Sequence, residues 1–264
     1  MKPFSPCFVF LRFYLCVLMI GLVFYGCNTK GLQQPTNAKP SSQPSSQPSS
    51  QPMASPNAKA HASSLSGKNH DDAFPQFPQG IEIQKWLATN PKYKAAIFAG
   101  GCFWCVEAPF DQHPAVYAAL SGYTGGKKAN PTYKEVASGS TQHREAVIVF
   151  YDGSRSTYKE LLELFWHQIN PTQTDGQFAD RGVQYQTAIY YINDQQKAWA
   201  EASKKALQES GKFDQPIATE IKATQVFWPA ESYHQNYHQT NQVHYQRYKV
   251  GSGRAGYIKR TWGK

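Results

Sequence analysis

The segment Gly100-Gly101-Cys102-Phe103-Trp104-Cys105 sets two thiols two residues apart, directly after a pair of glycines. Residues 95–99 (AAIFA) read as a buried strand, the glycines let the backbone turn, and the first cysteine then arrives at a helix start. There the unpaired N–H groups and the positive end of the helix dipole favour a thiolate over a thiol. A helical Cys-x-x-Cys spacing holds the two Cα atoms about 5–6 Å apart, within disulfide reach. Cys102 is therefore expected to be the low-pKa attacking sulfur, with Cys105 behind it to close the bond. Two cysteines in a core are usually inert, but packing alone does not call for a Gly-Gly turn before them. A zinc half-site is the structural competitor, and His234-x-x-x-His238 has the i, i+4 spacing to complete it. Nothing else supports zinc, and Phe-Trp between the cysteines suits a pocket better than a metal knuckle, so no metal is expected.

The other cysteines, Cys7, Cys16 and Cys27, lie in the first 27 of 264 residues, and none follows Cys105. No pair could staple distant parts of a domain, which excludes a disulfide framework. The formal charge of +9 is spread without a dense basic run or a nucleic-acid motif, so nucleic-acid binding is not expected. The positive balance suits solubility beside an anionic membrane.

Three regions follow from composition. Residues 1–27 carry only Lys2 and Arg12 as charges and an apolar run at 13–26 (FYLCVLMIGLVFYG) ahead of Cys27. That run has the length of a secretory apolar region and is short for a span of about 20 residues. Phe24-Tyr25-Gly26-Cys27 resembles a bacterial lipobox, in which the cysteine becomes lipidated, although Tyr25 is bulkier than the pattern usually has. An uncleaved anchor is the alternative. Either way the domain is expected outside the cytoplasm, anchored to a membrane on its periplasmic or cell-surface side. Residues 28–80 include SSQPSSQPSSQP at 41–52 and have little to bury, so they read as a disordered, extended tether.

Residues 81–264 form the expected domain. A short helix is expected over 81–90, strands over 95–99, 115–123, 144–151, 187–192 and 217–223, and a helix from the cysteine pair that ends by Pro114. Thr157-x-x-Glu160 fits a capping box ahead of Tyr158, Leu161, Leu162 and Phe165. Asn193 or Asp194 caps a helix that stops at Gly211. The His- and Tyr-rich tail beyond Phe227 carries no assignable pattern. The alternation points to a single α+β domain.

GGCFWCVEAPF resembles the signature of A-type peptide-methionine (S)-S-oxide reductases. Further similar segments follow in order: Gly122-Tyr123-Thr124-Gly125-Gly126, Asn130-Pro131-Thr132-Tyr133, Val136-Ala137-Ser138-Gly139, TQHREAV at 141–147, QFADRGVQY at 177–185, Tyr233-His234-Gln235-x-Tyr237 and Gly251-Ser252-Gly253-Arg254. The resemblance covers about residues 94–262. It implies an α/β sandwich with a ferredoxin-like core and an extended C-terminal coil. It also implies that Cys102 attacks the sulfoxide sulfur and keeps a sulfenic acid, while Phe103 and Trp104 receive the substrate methyl group. Glu145 matches the family's acid, since a sulfoxide oxygen is a poor leaving group until protonated. Tyr123 and Tyr185 match its two hydroxyl donors, and Asp180 the acid of the surrounding network. Taken alone, each of these would read as a packing or surface residue.

Many members have glycine where Gln142 and Phe178 stand, and many recycle through distal C-terminal cysteines that this chain lacks. Cys105 is then the resolving candidate, with no bound cofactor and a thioredoxin-type dithiol as external reductant. The expected substrates are oxidised proteins and peptides or free methionine sulfoxide, and the expected state is a monomer. Two rivals are a general thiol–disulfide oxidoreductase using Cys102 and Cys105, and a non-enzymatic module that binds oxidised methionine. Against the first, a Trp-Cys-Gly-Pro-Cys type motif is absent; the second would not need Cys102.

Overall fold

The structure is a computed structural model that describes residues 77–263. The expectations for residues 1–27, Cys27 included, and for the tether up to residue 76 fall outside the described residues. Phe77 packs into the fold, its ring meeting Trp86 at 5.6 Å and Phe150 at 5.0 Å.

The elements run α1 (Ile83–Thr89), β1 (Lys94–Ala99), α2 (Phe103–Asp111), β2 (Val116–Thr124), α3 (Tyr133–Ala137), β3 (Arg144–Tyr151) and α4 (Tyr158–Trp166). A two-stranded ladder of β4 (Gly176–Gln177) and β5 (Asp180–Arg181) follows. Next come β6 (Ala188–Tyr191), α5 (Asp194–Glu209), β7 (Glu220–Ala223), β8 (Trp228–Pro229), α6 (Tyr237–Thr240), α7 (Gln242–Gly251) and α8 (Arg254–Trp262). The main sheet has the order β7-β6-β1-β3-β2-β8, antiparallel throughout except between β6 and β7. Its inner four strands, β6-β1-β3-β2, with α2 and α4 as crossovers, make the ferredoxin-like core of an α+β domain.

Why β3 lacks polar alternation is now plain: all eight residues are buried. Val147 and Val149 face a cluster with Phe98, Phe103, Phe110, Leu161 and Phe165 beneath α2 and α4. Ala146, Ile148 and Phe150 face a second cluster, with Ile97, Trp86 and Ile83 under α1. Each fully buried Phe, Ile or Leu side chain contributes about 1.5–3 kcal/mol, so this two-faced sheet is the fold's main source of stability. The expected capping box is present, with Glu160 N donating to Thr157 Oγ1 at 3.3 Å and Thr157 N to Glu160 Oε2 at 2.8 Å. Asn193, rather than Asp194, caps α5 by accepting from Gln196 N at 2.9 Å.

The tail is helical and clasps α2. Asn236 N donates to buried Glu107 at 2.8 Å, His238 meets Asp111 at 3.3 Å, and Gln235 bonds both backbone groups of Ser121. Among the described residues no helix is long and apolar enough to cross a membrane.

Candidate active site

Strand β1 ends at Ala99, Gly101 takes φ +80°, and Cys102 becomes the N-cap of α2. Cys102 is 5% exposed and Cys105 fully buried; both are free thiols. The two thiols face each other as hydrogen-bond partners.

Glu145 enters from the neighbouring strand. Arg144 faces away, bound to Glu220 at 2.6 Å, so alternation along β3 aims Glu145 at the start of α2. Its Oε2 accepts from Phe103 N at 3.0 Å, taking up one of the orphan N–H groups of that helix end. Burial, against that hydrogen bond, lifts its pKa to about 8, so at neutral pH it is a carboxylic acid that can donate.

The cysteine pair differs from the sequence expectation. Burial pushes the Cys102 thiol well up, with the hydrogen bond to Cys105 and the negative potential of Glu145 and Asp180 adding to it. Desolvation outweighs the helix end, part of whose N–H capacity is used by Glu145. Its hydrogen bond with Cys102 moves Cys105 down against burial, with the positive potential of Arg254 and Lys249 adding to the fall. At rest Cys102 carries the proton.

Phe103 is 1% exposed in the core, and the half-buried Trp104 beside it is held from two sides. Trp104 Nε1 donates to His234 Nδ1 at 3.2 Å, and its indole stacks on Tyr237 with ring centres 3.9 Å apart. His234 lies 4.3 Å from the Tyr133 ring and 5.0 Å from Phe103. Burial lowers the His234 pKa to about 4, keeping it neutral and able to accept that bond.

The tyrosines separate. Tyr185 follows β5 in a 3-10 turn and lies in the field of Glu145, Tyr133, Asp180 and Cys102, with burial holding its phenol far above the ordinary range. Tyr123 is fully buried and directs its hydroxyl to Glu231 at 2.7 Å, a carboxylate that also accepts from Tyr133 N at 2.8 Å. The hydroxyl of Tyr123 is thus engaged with Glu231, whereas Tyr133 stands beside Tyr185 over Phe103. Tyr133 had no separate signal among 16 tyrosines, although its Asn-Pro-Thr-Tyr segment was visible. Asp180, on β5, accepts from Tyr248 Oη; burial raises its pKa while that bond and Arg254 oppose the rise.

Two departures from the family pattern sit at positive φ, Gln142 at +60° and Phe178 at +57°. Glycine adopts that region freely and other residues at a cost, which explains the glycines usual there. Among the described residues no three His, Cys, Asp or Glu side chains converge as metal ligands, and His238 is paired with Asp111. A cavity of about 540 Å³, lined by Tyr93, Tyr151, Tyr158 and Trp199, lies at the other end of β1 and β3 and includes none of these residues.

The family profile described as "Peptide methionine sulfoxide reductase" matches residues 94–264. The chain belongs to that family. The reductase is 55% identical over 174 residues to the peptide methionine sulfoxide reductase MsrA of Bacillus subtilis, a match covering 66% of this chain and 98% of that one. It is 48% identical to the corresponding Listeria monocytogenes protein, with the same shares covered. Among solved structures, reduced Mxr1 from Saccharomyces cerevisiae is similar with a TM-score of 0.54 and 31% identity, covering 58% of this chain and 87% of that one. Methionine sulfoxide reductase A of Corynebacterium diphtheriae gives 0.51 and 31%, covering 58% and 76%. The reductase is an oxidoreductase that returns methionine sulfoxide to methionine, which removes the general thiol–disulfide oxidoreductase and the binding module as rivals. Sequence reasoning missed Glu231 and Tyr248 and weighed His234 only as a zinc ligand, although Tyr233-His234-Gln235-x-Tyr237 was among the recognisable segments.

Proposed function

We propose that this reductase acts on the S epimer of methionine sulfoxide in proteins, in peptides or as the free amino acid, with Cys102 as nucleophile. The observation that carries the reading is a neutral carboxyl, Glu145, held at the same helix start as Cys102. The sulfoxide methyl group packs against Phe103 and Trp104, and the oxygen takes the proton of Glu145 with Tyr185 as a further donor. The carboxylate so formed accepts the thiol proton of Cys102, whose sulfur attacks the sulfoxide sulfur. The protonated oxygen then passes from the substrate sulfur to the Cys102 sulfur as the new S–S bond breaks, so methionine leaves reduced by two electrons and Cys102 is left as a sulfenic acid, oxidised by two. Asp180, held by Tyr248, orders the rim of the site.

Cys105 then displaces the oxygen as water and closes a Cys102–Cys105 disulfide. An external dithiol protein of thioredoxin type reduces it, and no bound cofactor takes part. The lipobox-like ending at Cys27 and the tether beyond it support a lipid-anchored enzyme working outside the cytoplasm on a bacterial membrane.

The test is epimer-resolved turnover with dithiothreitol. The wild type should consume the S epimer and spare the R epimer, and Cys102→Ser should consume neither. Turnover surviving in Cys102→Ser would remove the nucleophile from this reading. Cys105→Ser should release one methionine per enzyme and leave a dione-reactive sulfenic acid, without thioredoxin-dependent turnover.

A further inference from the structure

Glu107 is fully buried, and the proposed chemistry makes no use of it. It lies three residues after Trp104 on α2, so the two side chains share a helix face, which Asp111 continues one turn further on. The segment from His234 to Gln239 packs on that face. Tyr237 stacks on the Trp104 indole with ring centres 3.9 Å apart, and Asn236 N donates to Glu107 Oε1 at 2.8 Å. Gln239 Nε2 donates to Asp111 Oδ2 at 2.7 Å. The middle contact is the sealed one. Ser121 on β2, itself fully buried, closes it from the other side with its Oγ 2.6 Å from Glu107 Oε2.

Asn236 holds a left-handed conformation, φ 51° and ψ 32°, between extended Gln235 and the first residue of α6. That one residue turns the chain so that both of its flanks reach Trp104. His234, before it, accepts from the indole Nε1 at 3.2 Å, and Tyr237, after it, supplies the stacked ring. A left-handed residue other than glycine persists only where its surroundings hold it. Gln235 ties the turn to both backbone groups of Ser121, and Glu107 ties it to α2, the helix that carries the indole. An apolar residue at 107 would leave the Asn236 N–H without that acceptor in a sealed site. Burial raises the Glu107 carboxyl to about 7, yet both bonds survive either charge state. The acid form still accepts from Asn236 N on one oxygen and donates to Ser121 Oγ with the other.

We propose that Glu107 is a positioning residue for substrate binding, which fixes the left-handed turn at Asn236 and so sets His234 and Tyr237 against Trp104. This rests on Trp104 receiving the substrate methyl group. The chemistry at Cys102 and Glu145 does not pass through Glu107, so loss of this anchor weakens affinity and spares the chemical step.

The experiment is single-turnover methionine formation by the reduced enzyme over a range of concentrations of a blocked peptide carrying methionine sulfoxide. It yields the maximal rate and the half-saturating concentration separately. Glu107→Leu should raise half-saturation about tenfold and leave the maximal rate within about twofold. Glu107→Gln can accept from Asn236 N and donate to Ser121 Oγ, and should recover most of the affinity. Where Glu107→Leu folds poorly, Asn236 answers the same question. Asn236→Val strains the left-handed turn and should raise half-saturation likewise, whereas glycine adopts it freely and Asn236→Gly should not. Unchanged half-saturation in both Glu107→Leu and Asn236→Val, an equal loss in Glu107→Gln, or a fall in maximal rate alone would overturn this inference. Trp104→Ala separates it from the reading beneath it. Half-saturation unmoved there would overturn the substrate wall itself, whereas a rise there and none in the other two overturns only the role of Glu107.

Discussion

Glu145→Gln should make the protein worse as an enzyme and better as a fold, and the pH dependence of both effects follows from one carboxyl. Glutamine keeps the size and can still accept from Phe103 N, which lies 3.0 Å from Oε2 in the wild type. It cannot release a proton. Loss of a general acid costs about 10²–10⁴-fold, so methionine formation in single turnover should fall by that much at pH 7. The wild type works with Glu145 protonated, so its rate should decline as pH rises through about 8, and this limb should vanish in the variant.

Stability runs the opposite way. A carboxyl raised from 4.5 to about 8 binds its proton more tightly in the folded chain than in the unfolded one. Its contribution is complete below about 4.5 and is lost as pH rises through about 8. Each tenfold corresponds to about 1.4 kcal/mol, so the wild type should lose a few kcal/mol across that window, which the uncharged glutamine does not. Urea unfolding followed by tryptophan fluorescence at pH 4, 6, 8 and 9, with thiols kept reduced, measures the difference. It should be near its minimum at pH 4 and grow in favour of Glu145→Gln up to pH 8. Parallel stability curves would refute the claim that Glu145 is neutral in the folded protein.

Tyr133→Phe should slow methionine formation more than Tyr123→Phe, because the Tyr123 hydroxyl is held by Glu231; Tyr123→Phe should instead cost about 1–3 kcal/mol by leaving that carboxylate short of a donor. Rapid-quench rates and urea midpoints of the two variants separate these effects. Thr157→Ala removes the acceptor of Glu160 N at the start of α4 and should cost about 1 kcal/mol in chemical unfolding, with turnover unchanged. Gly122→Ala places a Cβ 2.4 Å from Trp228 O and 2.5 Å from the Phe227 ring, so β8 must shift away from β2; a loss of about 1–3 kcal/mol and faster amide exchange at the edge of β2 are expected.

The strands and the first helices were legible because burial writes itself into composition. REAVIVFY has apolar residues on both faces since both faces of β3 are covered, and Thr157-x-x-Glu160 is a local hydrogen-bond pattern that needs no distant partner. The tail was opaque for the converse reason. Residues 237–262 form helices that bury His238, Tyr245, Arg254 and Ile258, and the polar ones read as surface until Asp111 and the carbonyls of Gly100 and Gln168 are placed beside them. The same gap explains the site. The cysteine spacing and the helix start were visible, but the proton on Cys102 was not, because desolvation depends on what closes over the sulfur. Tyr123 and Tyr133 look alike in sequence, and only the position of Glu231 across from β2 distinguishes them.

Buried acids around α2 follow one physical logic. Burial lifts Glu145 to about 8 and Glu107 to about 7, raises Asp180, and keeps Cys102 a thiol. With Glu145 and Cys102 both protonated at rest, their side of the site carries no charge and can admit a polar, uncharged sulfoxide beside an apolar methyl group. Charge is generated only when the substrate oxygen accepts a proton and a sulfur must give one up. That negative charge arises at Cys102 and is consumed as the sulfenic acid forms, after which Cys105, the sulfur under the positive potential of Arg254 and Lys249, must give up its own proton. Neutral at the first sulfur and cation-facing at the second, the pair is graded in the direction in which the reaction has to run.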